Sequence, residues 1–394
     1  MRNCRRARCP KRHLMKIPRL LFLLALGAVS GCAQPEPLSS APPMEASLRR
    51  EVFAAHVNLP HAAVRIPALL ATRKGTLLAV AEGRANAGDQ AGNDLVLSRS
   101  TDDGNTWSAP RTMRDAGHDS LNNPCLVEEA ASGRVFLFHQ LFPAGTGEFG
   151  RLAAGPEGSV RIHVMHSDDD GLHWSAPRDL SAELKPADAL TAASGPGIGI
   201  QLQRGPARGR IVVPFNSQSA GRHFVNWMAL SDDGGVSWRR GADVPCKDAE
   251  LNEVQVAEAK DGSLILNARH WKGVNRGRLV ARSEDGGLTW SEAHADPALP
   301  EPVCQASLLA LHDADRHLLL FLNPAGDPPG KGRCRGVLRS SEDDGHTWPG
   351  SLLLVPGHFA YSSMALLKNG DLGVLYEPGD ATRVLYLRTR PHAR

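Results

Sequence analysis

Arginine, carboxylate and tyrosine side chains recur at matching distances from a set of short apolar strands. Arg65 lies 12 residues before Leu77 and Asn123 lies 12 before Val135, while Glu253 and Tyr361 lie 11 before Leu264 and Leu372. Arg269 and Glu82 each stand five residues after the start of such a strand. Asp89 follows in a loop flanked by Gly88 and Gly92, and Arg333 precedes the run Gly336–Ser340. Side chains of these types hold anions and move protons. The signatures of other chemistries are missing: there is no HExxH, GxSxG or CxxC, and Gly326–Lys331 (GDPPGK) is one residue short of a phosphate loop and stiffened by two prolines.

The elements that must position these residues are legible as a repeat. Ser-x-Asp-x-Gly-x-x-Trp occurs five times, at Ser100–Trp107, Ser167–Trp174, Ser231–Trp238, Ser283–Trp290 and Ser341–Trp348, with steps of 67, 64, 52 and 58 residues. A short apolar strand, usually opened by a turn glycine, precedes each box, at Leu77, Val135, Ile211, Leu264 and Leu318; a sixth, at Leu372, has no box after it. A period of about 55 residues with several strands per unit predicts an all-β chain: a six-bladed β-propeller over residues 50–394, with four-stranded antiparallel blades and five box turns. The segment Val52–Asn58 is expected to supply the missing outer strand and close the ring. Equivalent positions in successive blades then sit at one height around one axis, so Arg65, Glu253 and Tyr361 should meet at one end of the channel. In the boxes, Asp-x-Gly makes a hairpin turn and Trp packs between sheets, so they read as scaffold rather than metal ligands. No metal or other cofactor is expected.

Composition agrees. The chain has 394 residues with 42% hydrophobic and 5% aromatic side chains, 39 Gly and 28 Pro, a turn-rich β composition with ample core. Eight Lys/Arg and no acid precede Cys32, leaving 37 basic against 42 acidic residues from there on, which argues against a nucleic-acid partner. The basic start, the ten-residue apolar run Leu20–Val29 and then Val29-Ser30-Gly31-Cys32 resemble the signal and lipobox of bacterial lipoproteins. That resemblance implies a signal peptide over 1–31, lipidation at Cys32, a tether over 32–49 and a lipid anchor as the sole membrane contact. It also implies the cell envelope, at the outer membrane, with a periplasmic or secreted protein as the alternative; Met15 is a second possible start. Cys125, Cys246, Cys304 and Cys334 are read as buried free thiols, and a monomer is expected.

Taken in order, the motifs resemble those of the bacterial exo-α-sialidases (neuraminidases). Val64-Arg65-Ile66-Pro67 is similar to that family's Arg-Ile-Pro, and Ala81-Glu82-Gly83-Arg84 with Asp89 and Asp94–Leu97 to its acid-base loop. Gly195–Ile200 is similar to its Gly-Pro-Gly segment, Asn252–Gln255 with Leu266–Arg269 to its Glu and second Arg, and Ala360–Met364 with Gly373–Glu377 to its nucleophile strand. The resemblance implies Tyr361 as nucleophile, Glu253 as its base, Asp89 as acid/base, Arg65, Arg269 and Arg333 as a clamp for the substrate carboxylate, and Arg84 near the sugar's 4-position. Asp94 is the alternative acid, and Arg335 and Arg339 are alternatives for the third arginine. The implied activity is retaining hydrolysis of terminal sialic acids from glycoconjugates through a tyrosyl-enzyme; the alternatives are another 2-keto sugar acid (Kdn or Kdo) or a non-catalytic glycan-binding propeller. The residue types suit the chemistry, because three arginines can clamp a carboxylate and a neutral Tyr is not repelled by it.

Overall fold

The computed structural model describes residues 48–148, 160–273, 276–312 and 317–391. The signal segment, Cys32 and residues 32–47 of the expected tether lie outside them. The described residues form six antiparallel sheets, one per repeat, and the one α-helix among them is the single turn Ser181–Leu184.

Blade I shows the plan. Ala63–Ala71 is innermost, followed outward by Leu77–Arg84, Asp94–Ser100 and Arg111–Arg114. The strands expected at Leu77, Val135, Ile211, Leu264, Leu318 and Leu372 are the second strands of blades I to VI, the fifth beginning at His317. Blade VI is built from both ends of the chain: Ser362–Leu366, Leu372–Tyr376 and Arg383–Thr389, then Leu48–Ala54 on the outside. The closing strand therefore starts earlier than Val52 and takes in the last two residues of the expected tether. Its apolar end decides this, because Val52 and Phe53 are buried whereas residues 56–58 are exposed turn. Two blades depart from four strands. Gly197–Ile198 pairs in parallel with Cys125 and Leu126 of blade II, and Ile200–Gln201 pairs with blade III. This segment crosses the channel: the Pro196 carbonyl accepts the Gln255 side-chain amide of blade IV at 2.9 Å, and Gly197–Ile198 packs against the inner strands of blades I, II and VI.

The core lies between blades. Six apolar clusters fill the six junctions, such as Phe138, Phe215, Trp227 and Trp238 between II and III, and Phe53, Leu69, Leu77 and Tyr386 between VI and I. Each box closes on itself. In the first, Ser100 Oγ accepts the Gly104 N–H at 2.9 Å and donates to Asp102 at 2.8 Å, while Asp102 accepts the Thr106 N–H and hydroxyl at 2.9 and 2.7 Å. The Asp oxygens are thus occupied by the turn itself. Each box Trp seals the junction with the preceding blade: Trp107 against VI, Trp174 against I, Trp238 against II, Trp290 against III and Trp348 against IV. Blade VI lacks a box because its outer strand comes from the other end of the chain, so no hairpin exists there to be turned.

The box glycines serve both φ and close approach. Gly235 has φ +87°, and a Cβ on it would lie 2.0 Å from the Phe136 ring. Gly209, at φ +93°, has no atom within 4 Å of such a Cβ. Gly209→Ala should therefore cost only the left-handed strain of about 1–2 kcal/mol, and Gly235→Ala about 1–3 kcal/mol more for overpacking, read by urea unfolding. Equal losses would mean that backbone conformation alone selects the box glycine.

Candidate active site

Three inner strands carry a β-bulge at the same mouth of the channel. Their registers break between Arg65 and Ala68, Asn122 and Cys125, and Leu251 and Val254, leaving two residues opposite one. Pro67 and Pro124 sit in two of the bulges, where no ladder donor is needed. Ile66 and Asn123 take φ of +58° and +54°. Such bulges turn side chains out of the sheet plane. Arg65 and Glu253 thereby reach one polar pocket, which Arg84, Asp89, Arg269, Arg333 and Tyr361 also line.

At its floor the Tyr361 hydroxyl donates to Glu253 Oε1. Arg269 Nη1 donates to Glu253 Oε2 at 2.8 Å and to the Tyr361 oxygen at 3.3 Å. Arg65 and Arg333 place their guanidinium carbons 5.1 and 5.5 Å from the centre of the Tyr361 ring. Burial, reinforced by the Glu253 charge, holds the phenol well above its ordinary range, against the pull of Arg269 and Arg333. The resting nucleophile candidate is thus neutral, with a proton acceptor already in contact. Burial opposes the charge on Arg65, but Glu377 and Tyr361 outweigh it and the guanidinium is held above its usual range. Glu377 grips Arg65 Nη2 at 3.1 Å and the Ile66 N–H at 2.8 Å.

Asp89 stands at the rim, its side chain 62% exposed, with Oδ1 3.0 Å from Arg84 Nη1 and 3.6 Å from Arg65 Nη1. An acid for a leaving group needs that open position. Asp94 faces elsewhere: its carboxylate meets His61 Nε2 at 2.9 Å. Arg84 is buried, and it also bonds Glu82 Oε2 at 2.8 and 2.6 Å, so it supports the Asp89 loop from behind. Arg333 is held by the Val303 carbonyl at 3.1 Å, whereas Arg339 turns away to Asn323 at 2.9 Å and Arg335 is not among the pocket residues. Cys304 is buried against Tyr361, and its thiol is pushed up to about 11 by burial. Cys125 and Cys304 are buried free thiols as expected, while Cys246 and Cys334 are half-buried.

Sequence reading missed several wall residues. Gln140 and Asn216 line the pocket; with Glu377, which holds Arg65 from behind, they occupy the same place as Glu82 and Arg269, five residues after the start of the second strand, and all five are buried. The same offset, applied to every repeat, would have found them. Glu148 had no such signal. It reaches the pocket from a loop of blade II, where its N–H meets Gln90 Oε1 at 3.4 Å and its carbonyl accepts Arg222 Nη1 at 2.8 Å. Burial, with Glu253 and Asp89 adding and Arg269 opposing, pushes its carboxyl up to about 7.

Residues 75–374 match the family described as BNR repeat-like domain. A sialidase of Micromonospora viridifaciens is 33% identical over 94% of this chain and 60% of its own length, and one of Bacteroides fragilis is 32% identical over 80% and 60%. The chain thus spans about 60% of the length of these relatives. Among solved structures, the Hadza microbial sialidase Hz136 superposes with a TM-score of 0.74 at 28% identity, over 84% of this chain and 66% of that one.

Glu148 gives the pocket a pH dependence of definite sign. A carboxyl that titrates near 7 is neutral below that pH and adds a negative charge to the pocket above it. Affinity for a carboxylate ligand should therefore fall as pH rises through about 7, and Glu148→Gln should flatten that limb in calorimetric titrations at pH 5.5 to 8.5. An unchanged limb in the variant would assign it to another group.

Proposed function

The chain belongs to the bacterial sialidase family, and on that footing we propose that it is a retaining exo-α-sialidase that releases terminal sialic acids from glycoconjugates through a tyrosyl-enzyme. The observation that carries the reading is the Tyr361–Glu253 contact ringed by the guanidinium groups of Arg65, Arg269 and Arg333. A sialoside bears a carboxylate on its anomeric carbon. Three arginines bind it with charge-assisted bonds, each worth about 1.5–3 kcal/mol. A carboxylate nucleophile would be repelled by that group, and sialidases are a known exception to the two-carboxylate pattern of glycosidases.

In the first step Glu253 takes the phenolic proton as the Tyr361 oxygen bonds to the anomeric carbon. The bond to the leaving oxygen breaks, and that oxygen takes the proton of Asp89. In the second, Asp89 takes a proton from water, the water oxygen bonds to the anomeric carbon, and the Tyr361 oxygen leaves and recovers its proton from Glu253. Two displacements retain configuration. Arg84 holds Asp89 and borders the ring's 4-position.

A general acid matters in proportion to how badly the leaving group needs a proton. Asp89→Asn should cut turnover of a sialyl-oligosaccharide by roughly 10²–10⁴-fold and slow the first step much less with an aryl sialoside. Tyr361→Phe should damage both. Pre-steady-state kinetics on the two substrates separates the roles, and equal losses in Asp89→Asn would remove Asp89 as the acid. For the envelope we propose lipidation at Cys32, on the strength of Val29-Ser30-Gly31-Cys32 after the apolar run. Cys32→Ser should release activity from the membrane pellet into the soluble fraction; wild-type activity already in the soluble fraction would count against an anchor.

A further inference from the structure

Outside the pocket the structure holds a buried ion pair that the mechanism above does not use. Arg278 opens the third strand of blade IV, and Glu301 lies in the crossing from blade IV to the inner strand of blade V. They are 1% and 0% exposed, and Arg278 Nη1 donates to Glu301 Oε2 at 2.9 Å. Burying two charges this completely is costly unless every donor and acceptor is used, and here they are spent on the backbone beside the site. Glu301 Oε2 accepts the N–H of His270, next to Arg269, at 2.9 Å, and Oε1 accepts the Cys304 N–H at 3.2 Å. Arg278 also donates to the Cys304 carbonyl at 2.7 Å and to Asn267 Oδ1 at 2.8 Å.

The segment pinned in this way touches two pocket residues and the neighbour of one of them. The Val303 carbonyl, in a backbone of φ +56°, receives Arg333 Nη2 at 3.1 Å. Cys304 packs against Tyr361. Gln305 bonds both backbone groups of Ser362, the next residue after Tyr361, at 3.0 and 2.9 Å. One carboxylate thus fixes the backbone behind Arg269 and the carbonyl that aims Arg333.

We propose that Glu301, held by Arg278, is a positioning residue that sets the spacing of Arg269 and Arg333 and so tunes recognition of the substrate carboxylate. The proposal rests on the sialidase reading and concerns the geometry of its clamp. It makes a demand that a merely structural pair does not: loss of Glu301 should weaken binding of a carboxylate selectively, not binding in general.

The probes are the 2,3-didehydro-2-deoxy derivative of N-acetylneuraminic acid and its C1 carboxamide, which is neutral and has an NH2 donor in place of one acceptor oxygen. Wild type should prefer the acid by about a hundredfold or more, the sum of several charged hydrogen bonds. In Glu301→Gln that preference should shrink by about tenfold or more, with the amide bound much as before and KM for a sialoside raised more than kcat is lowered. Because breaking a buried pair on one side destabilises strongly, the double variant Arg278→Met/Glu301→Leu is the second arm. Apolar replacement removes both buried charges but leaves the His270 and Cys304 N–H groups, the Cys304 carbonyl and Asn267 Oδ1 without these partners, so its melting temperature should fall, and below that temperature the folded variant should still lose the acid-over-amide preference. A preference retained in both variants, or equal loss for acid and amide, overturns the proposal. A wild type that binds neither probe, or cannot tell them apart, overturns the sialidase reading instead.

Discussion

Everything at the channel mouth depends on one seam, the closure of blade VI by a strand from the far end of the chain. Leu48–Ala54 pairs with Arg383–Thr389, and across this seam Ala55 N–H reaches Thr382 O and Val64 N–H reaches Ala381 O, each at 2.8 Å. Arg65 is on one side, Tyr361 and Glu377 on the other. Glu377 binds the Arg65 guanidinium and the Ile66 N–H, and Ser363 Oγ accepts the Leu69 N–H at 2.9 Å. Were the ring open, the first arginine would have no fixed relation to the tyrosine. Closure also removes the exposed edges that six separate sheets would present, and it places an apolar cluster at the sixth junction as at the other five.

Electrostatics in the pocket follow from this packing. Four arginines crowd one small volume, an arrangement that repels itself unless anions are interleaved. Arg65 has Glu377, Arg84 has Glu82 and Asp89, and Arg269 has Glu253. Arg333 is held by a carbonyl. The acids do double duty: Glu253 both steadies Arg269 and accepts the Tyr361 hydroxyl, so one carboxylate fixes a guanidinium and a phenol of the pocket together. The Tyr361 phenol remains protonated because burial disfavours the phenolate. A bound sugar acid would compete with Glu253 for Arg269 and leave the Glu freer to take the proton.

The repeat explains why such a site could arise from residues 300 positions apart. Each second strand runs toward the same mouth, and the residue five positions after Leu77, Val135, Ile211, Leu264, Leu318 and Leu372 is polar and buried in every blade: Glu82, Gln140, Asn216, Arg269, Asn323 and Glu377. Five border the pocket or hold its residues. Asn323 instead bonds the Pro300 carbonyl at 2.7 Å, steadying the crossing segment that carries Glu301. One register position therefore supplies the wall of the site and part of its support, and the bulges opposite it in blade IV and beside it in blades I and II bring Arg65, Asn123 and Glu253 to the same level.

The sequence by itself determined the blade count, the box turns, the closure from the N-terminal side and the convergence of Arg65, Glu253 and Tyr361. Each is written in a local pattern repeated along the chain, and a repeat turns local spacing into position around an axis. Its +5 register was legible too, although only Glu82 and Arg269 stood out, because amides at that position resemble ordinary strand residues. Tertiary structure alone decided the rest. Asp89 and Asp94 are both near the right place in sequence, and His61, 33 residues before Asp94, separates them by binding one. Arg333 is separated from Arg339 by partners from other segments, the Val303 carbonyl for one and Asn323 for the other. Glu148 and the Arg278–Glu301 pair lie in a loop and at a strand–loop contact outside the repeated spacing. Their partners are chosen by which blades become neighbours, and packing across a junction leaves no periodic trace in a single chain.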